Sequence, residues 1–345
     1  MDLLPLIWFA AIAVLWLGFL ALEGFDFGVG MHVLFGTRDE KTRRTLLNTI
    51  GPVWDGNEVW LITAGAAIFA AFPAWYASLF SALYVPLTIT LLALIARAVA
   101  IEYRGKVRDP RWARAWTWAL GLGSAVAAFC IGAALALTST GLPIDANGDR
   151  VGGAFAWLTW PAILGGVSVV CFAIAHGSAF LALKTDGEIR ERAGRFSGTW
   201  GPVLLIPAAA WAIWVQLSQG GTWLSWALVV LAAASAVHAW FYARRRKEGM
   251  AFAGYVGFIV FGGGAIFAGV FPRVLPSTVD DAFSLTVSNA ANSPYTLTVM
   301  TVVACIGLPL VIAYQAWSYW VFRRRLTPGM IPEPHIVIPA ILRAK

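Results

Sequence analysis

Two carboxylates, Asp55 and Glu58, stand three residues apart in the stretch GPVWDGNEVW, residues 51–60, at the head of the apolar run LITAGAAIFAAF. On a helix that spacing puts them on one face. A charge at the centre of a bilayer costs about 2.5–3.5 kcal/mol on insertion scales and by default marks a function. Further ionisable residues lie in similar surroundings: Glu23 and Asp26 in LEGFDFGVG, and Arg97 and Glu102 in RAVAIEYRGK. Two chemistries suit such a set. Acids and waters in series carry protons through an apolar layer, and acids around an arginine form an ion-pair cluster that serves assembly. Pro52 lacks an N–H and frees a carbonyl near Asn48; that group and Asn57 can hold water beside Asp55. Trp54 leads the same motif.

The elements that must position these residues are membrane spans. The hydrophobic fraction is 59 % and the charged fraction 12 %, about half the charge of a soluble domain. Mean hydropathy is +0.72. An all-α polytopic membrane protein follows, a single integral domain over residues 1–345, with 18 Trp and 8 Tyr to anchor at interfaces. Nine apolar segments reach the ~20 residues that a crossing needs: 4–35, 46–71, 74–102, 114–138, 157–183, 197–218, 222–243, 250–271 and 295–322, followed by a cytoplasmic tail, 323–345. The first segment lacks a basic leader and a small-residue cleavage site, and is expected to be retained.

Charge orients the chain. Arg38–Arg44, Arg104–Arg114, Lys184–Arg195, Arg244–Lys247 and Arg323–Lys345 hold 22 of the 25 basic residues, all in loops on one side; Arg150 and Arg273 fall on the other and Arg97 inside a segment. The positive-inside rule places the N-terminus outside and the C-terminus in the cytoplasm. The net charge of +7 then needs no nucleic-acid partner; a basic face against anionic lipid accounts for it. With this topology Glu23, Asp26, Arg97 and Glu102 lie in the cytoplasmic half, and Asp55 and Glu58 about 14–18 Å past the start of the second segment. Gly24 and Gly28 form a small-xxx-small pair that lets another helix approach. The same string is no nucleotide loop, because no strand precedes it. GPV recurs at 51–53 and 201–203, each after a basic loop. That hints at a parallel duplication of four helices.

Redox and metal signals are sparse. Cys130, Cys171 and Cys305 stand singly in apolar runs, with no metal or disulfide spacing. His32 and His335 lie near the cytoplasmic face, and His176 and His238 within spans. A haem iron can use such a histidine, but an isolated one is more often a packing residue.

The strings EGFDFGVGM, GPVWDGNEVWLITAG, RAVAIEYRGK and FPRVLPSTVDDAFSLTVSNAANSPYTLTVMT together resemble subunit II of cytochrome bd-type quinol:oxygen oxidases, in matching order from the first segment to the ninth. The resemblance implies two four-helix bundles plus one additional helix in a bacterial plasma (inner) membrane. It implies a haem-free chain that forms a heterodimer with subunit I, where low-spin haem b, high-spin haem b and haem d reside and quinol is oxidised near the outer face. Dioxygen is reduced to water with protons from the cytoplasm, electrogenically and without pumping; no catalytic residue is expected on this chain. The acids of the GFD and WDGN motifs fall on Asp26 and Asp55, and the Arg and acid of the third helix on Arg97 and Glu102. Some relatives have Gln where Glu58 stands. Some members hold a bound quinone, and small single-helix accessory subunits are further candidate partners. Two other readings of the residues remain open here: a proton-coupled transporter, which more often shows inverted repeats and broken helices at mid-membrane, and a purely structural subunit.

Overall fold

The computed structural model describes residues 2–107 and 109–330; Arg108 and the part of the 323–345 tail from residue 331, with His335, Arg343 and Lys345, lie outside the described residues. Twelve α-helices, two single-turn 3₁₀ helices (Asp281–Phe283 and Pro328–Met330) and one small hairpin are the regular elements of the described chain. They are α1 (Leu3–Phe35), α2 (Glu40–Ile50), α3 (Trp54–Ala71), α4 (Pro73–Ala82), α5 (Tyr84–Tyr103), α6 (Pro110–Thr140), α7 (Trp160–Lys184), α8 (Glu188–Leu204), α9 (Ile206–Gln219), α10 (Trp223–Arg244), α11 (Glu248–Val270) and α12 (Pro294–Val321), with β1 (Arg273–Leu275) pairing antiparallel to β2 (Leu285–Thr286).

Among the described residues eight helices are long and apolar enough to cross a membrane: α1, α5, α6, α7, the α8–α9 run, α10, α11 and α12. The expected second span, 46–71, is not one of them, because it is two helices and the second opens on the polar cluster Trp54, Asp55, Asn57, Glu58. Proline explains the breaks. Pro52 cannot donate to the Asn48 carbonyl, and the chain turns through Gly51–Val53. The expected continuous spans 74–102 and 197–218 are also interrupted, at Leu83 and at Leu205. Pro86 leaves the Ala82 carbonyl without its helical donor, and Arg150 Nη1 donates to it at 3.3 Å. Pro202 does the same to Gly198, whose carbonyl accepts from Arg244 Nε at 3.4 Å. Both GPV tripeptides thus stand at or beside a helix interruption, so the two halves of the chain share an element order: a long helix, an interrupted one, then further spans.

The first half packs as α1, α3, α4–α5 and α6, and the second as α7, α8–α9, α10 and α11; the two meet through α1 and α6 against α7, and α12 lies on α3 and α1. The α1–α7 crossing is close because Gly28 faces the Ala173 carbonyl and Gly177. A Cβ at Gly28 would overlap that backbone, as expected of a small-xxx-small contact. Gly24, one turn earlier, faces Phe172 and His176. Helices α6 and α7 are largely buried whereas α12 is almost wholly exposed, so α12 presents nearly all its length to lipid or to a partner.

The loops sort by end. Leu142 N donates to Pro276 O (3.0 Å) and Ser277 Oγ to Ile144 O (2.7 Å), joining the two Gly/Pro-rich loops. At the other end Glu248 pairs with Arg190 (2.8 Å) and approaches Arg325 (3.6 Å), and Leu326 N donates to Lys184 O (2.9 Å). There α2 lies outside the spans. Its N-cap Asp39 accepts from Thr42 Oγ1 (2.6 Å) and Thr42 N (2.8 Å), and those bonds hold its carboxyl below the ordinary carboxylate range.

Candidate functional site

Arg97, one and a half turns from the end of α5, is fully buried, and so are Glu23 and Asp26 of α1 and Asn57 of α3. Their burial follows from the helix faces: α1 packs on α3, α6 and α7, and α5, which packs on α6, reaches the cluster through Arg97. Arg97 Nη1 lies 2.6 Å from Glu23 Oε1 and 2.5 Å from Glu58 Oε1, and the guanidinium rests 5.0 Å from the centre of the Phe27 ring. A cation over an aromatic face in a dry site gains about 2 kcal/mol. Glu58 is one-fifth exposed and so forms the edge of the cluster.

Asp26 is held from a different direction. Asn57 Nδ2 donates to Asp26 Oδ2 at 2.6 Å, and Asn57 Oδ1 accepts from Gln315 Nε2 (2.9 Å) and Tyr319 Oη (2.8 Å) of α12. Trp60 Nε1 donates to Gln315 Oε1 at 2.7 Å. Several buried atoms make no hydrogen bond among the described residues: Glu23 Oε2, Asp26 Oδ1, and Nε and Nη2 of Arg97. Leaving such atoms unpaired costs about 1–3 kcal/mol each, more for charged groups. Water, or a proton shared between carboxyls, relieves that cost. One guanidinium offsets one carboxylate, so a site with Glu23, Asp26 and Glu58 together carries excess negative charge that protons must balance.

Two expected members do not join. Asp55 shares the first turn of α3 with Glu58, but it is exposed and its carboxylate turns back to accept from Gly56 N at 2.8 Å. The break at Gly51–Val53 also puts it at the start of a helix rather than deep within one. Glu102 is exposed near the end of α5; five residues past Arg97 it points about 140° away around the helix. Trp54 is half-buried at the head of α3.

Sequence reasoning passed over Gln315 and Tyr319. Their signal was there: two polar side chains four apart on one face of an otherwise apolar span. It also passed over the buried Arg104, which was counted only as a loop charge. Arg104 binds Glu40 through both terminal nitrogens (2.8 and 2.7 Å) and Thr117 through Nε (2.9 Å), tying α2, α5 and α6 together beneath the cluster.

Both span histidines make packing contacts within the chain. His176 is fully buried, bonds Ala21 O through Nε2 (2.9 Å) and is sandwiched between Phe252 (4.6 Å) and Phe172 (5.0 Å). His238 packs on Tyr242 at 4.5 Å. Among the described residues no group of three or more His, Cys, Asp or Glu is placed to hold a metal ion. A separate apolar cavity of about 290 Å³ lies between α1, α6, α9, α10 and α11, lined by Trp16, Trp75, Leu135, Trp211 and Phe258, with Ser139 and Arg273 among its few polar groups.

Fold and site define a polytopic membrane protein built around a buried acid–arginine cluster. The sequence pattern of the family described as "Cytochrome bd terminal oxidase subunit II" matches residues 4–322. The chain is 40 % identical over 325 residues to "Cytochrome bd ubiquinol oxidase subunit 2" of Bacillus subtilis (strain 168), covering 93 % of this chain and 96 % of that one. It is 33 % identical over 365 residues to "Cytochrome bd-I ubiquinol oxidase subunit 2" of Escherichia coli (strain K12), covering 94 % and 96 %. The bd oxidase structure from Geobacillus thermodenitrificans shares the fold, with a TM-score of 0.79 at 18 % identity over 93 % of this chain and 99 % of that one. The chain belongs to the cytochrome bd terminal oxidase subunit II family, and is a subunit of a membrane oxidoreductase.

Proposed function

We propose that this chain is the haem-free subunit of a quinol:oxygen oxidoreductase in a bacterial plasma membrane, and that it supplies a route for protons from the cytoplasm to the haems of subunit I. Those haems, two of type b and one of type d, carry the electrons from quinol to dioxygen. This chain's own residues hold and move protons. The observation that carries the reading is the buried set Glu23, Asp26 and Glu58 around a single Arg97, with carboxyl oxygens left free of any other partner. Glu58 is at the exposed edge of that set; Asp55, three residues before it on α3, and Glu102 face outward, where this reading places the partner subunit or inner water. The transporter alternative loses its footing with membership of the oxidase family. The structural alternative, an ion-pair cluster for assembly only, is favoured by the direct Arg97 contacts and must be separated by experiment.

Asp55→Asn tests the reading. Asparagine keeps shape and hydrogen bonding but cannot cycle a proton. The purified two-subunit complex should retain haem d and lose most of its oxygen consumption per haem d, with Asp55→Glu retaining more. Wild-type turnover in Asp55→Asn removes Asp55 from the route, and loss of haem d favours the structural role.

The topology belongs to the same proposal: nine crossings, α3 among them, with the basic end in the cytoplasm. Cysteines placed by Asp145→Cys and Glu188→Cys should then label from opposite sides of intact cells, and labelling of both from outside contradicts it. The chain purified without its partner should show no stoichiometric haem spectrum; a b-type spectrum abolished by His176→Ala would overturn that expectation. A quinone held by this chain, as in some members, would find its most suitable volume in the apolar cavity, whose size is at the lower end of ligand sites.

A further inference from the structure

We propose that α12 dictates which oxygen of Asp26 exchanges a proton, with Trp60, Gln315, Tyr319 and Asn57 acting as positioning residues; the proposal rests on the proton-route reading above.

The argument is one of hydrogen-bond direction. An indole N–H only donates. Trp60 Nε1 donates to Gln315 Oε1 at 2.7 Å, so the amide oxygen of Gln315 faces Trp60 and its NH₂ faces Asn57. Gln315 Nε2 and Tyr319 Oη then both approach Asn57 Oδ1, at 2.9 and 2.8 Å, and fill its two lone pairs. The NH₂ of Asn57 is left facing α1, where it donates to Asp26 Oδ2 at 2.6 Å and approaches Leu22 O at 3.4 Å. Turning the Asn57 amide over would set its carbonyl against a carboxyl oxygen and its NH₂ against the NH₂ of Gln315. The opposition at both ends fixes the orientation.

Asp26 Oδ2 therefore always receives a hydrogen from Asn57. The carbonyl oxygen of a carboxylic acid accepts an N–H better than its hydroxyl oxygen does, so the proton of the acid form sits on Oδ1. Oδ1 is fully buried and has no hydrogen-bond partner. The Glu23 carboxyl, three residues earlier on the same face, is within reach of the Asp26 carboxyl. Two carboxyl groups so placed share a hydrogen bond only while one of them carries a proton. Exchange is thereby confined to Oδ1, the oxygen that Asn57 and, through it, α12 leave free. The span that is least embedded in the molecule thus sets the polarity of a fully buried acid.

The test uses the purified two-subunit oxidase with Gln315→Met and Tyr319→Phe, singly and together. Both replacements keep side-chain size and remove the groups that hold Asn57 Oδ1. The readout is the infrared carbonyl band of protonated Asp26, identified by its loss in Asp26→Asn, together with the pH profile of oxygen consumption per haem d. Either single variant should displace the band modestly, because one donor remains. The double variant should displace or split it by more than the two single effects combined. Its pH profile should move by about one unit, since a hydrogen bond to a charged group is worth about tenfold or more in a protonation equilibrium. An Asp26 band and pH profile unchanged in the double variant overturn the proposal, as does the absence of any Asp26 carbonyl band in the wild type. Should the double variant not assemble, a single-variant band identical to wild type in both cases overturns it equally. The band reports orientation whether or not Asp26 lies on the route: normal turnover in Asp26→Asn would sink the route reading alone.

Discussion

Arg97→Ala will strip the membrane of assembled oxidase. The side chain is fully buried, and it is the cation that both Glu23 and Glu58 contact. Removing one partner of a buried pair costs about 3–5 kcal/mol, because the other charge stays behind unpaired. That is a large share of the ~5–15 kcal/mol that keeps a domain folded. Here two acids lose their counter-charge at once, and Phe27 loses the guanidinium over its ring. Haem d absorbance per milligram of membrane protein should fall by about tenfold or more, the factor that corresponds to ~1.4 kcal/mol or above at equilibrium. Arg97→Gln combined with Glu23→Gln removes charge from both sides and should recover part of the loss, since replacing a buried pair as a whole is often near neutral. Assembly of Arg97→Ala at the wild-type level would contradict the pairing.

Asp26→Asn should behave in the opposite way. Asparagine fills the same volume, and its amide oxygen can still accept from Asn57 Nδ2. It also removes an ionisable carboxyl from a site that holds more of them than Arg97 offsets. Assembly and haem content should therefore be retained. Turnover should fall by about a hundredfold, the scale at which a positioned proton-transfer group matters. Glu23→Gln removes the acid that directly contacts Arg97, so it should combine a turnover loss with weaker assembly.

The carboxylates, the arginine and the helical membrane class were all legible in the sequence, because a charged residue in an apolar run stands out against its background. The geometry that joins them was not. Asp55 and Glu58 look equivalent at a spacing of three, yet the 60° between them on a helix sends one into the cluster and the other outward. Which one goes inside depends on how α3 is rotated against α1, and that is settled by packing. Gln315 and Tyr319 are 258 and 262 positions from Asn57 in the chain; no local pattern announces that α12 returns to cover α3. The helix interruptions at Leu83 and Leu205 were hidden for another reason. Hydropathy does not register a proline whose orphaned carbonyl is taken by a distant arginine, as Ala82 is by Arg150 and Gly198 by Arg244. Gly28 was readable because close helix approach demands a missing Cβ, and Gly177 and the Ala173 carbonyl occupy the space that one would fill.

The central claim is that buried acids of this chain deliver cytoplasmic protons to the oxygen-reducing centre. Its most direct test is proton uptake during a single turnover. The fully reduced two-subunit oxidase is mixed with dioxygen in a weakly buffered solution containing a pH-sensitive dye, with wild type and Asp26→Asn matched in haem d. The account predicts uptake in the wild type at the rate of haem d oxidation, and uptake slowed by about a hundredfold in Asp26→Asn while haem content is unchanged. Uptake of equal rate and extent in the two proteins would contradict it.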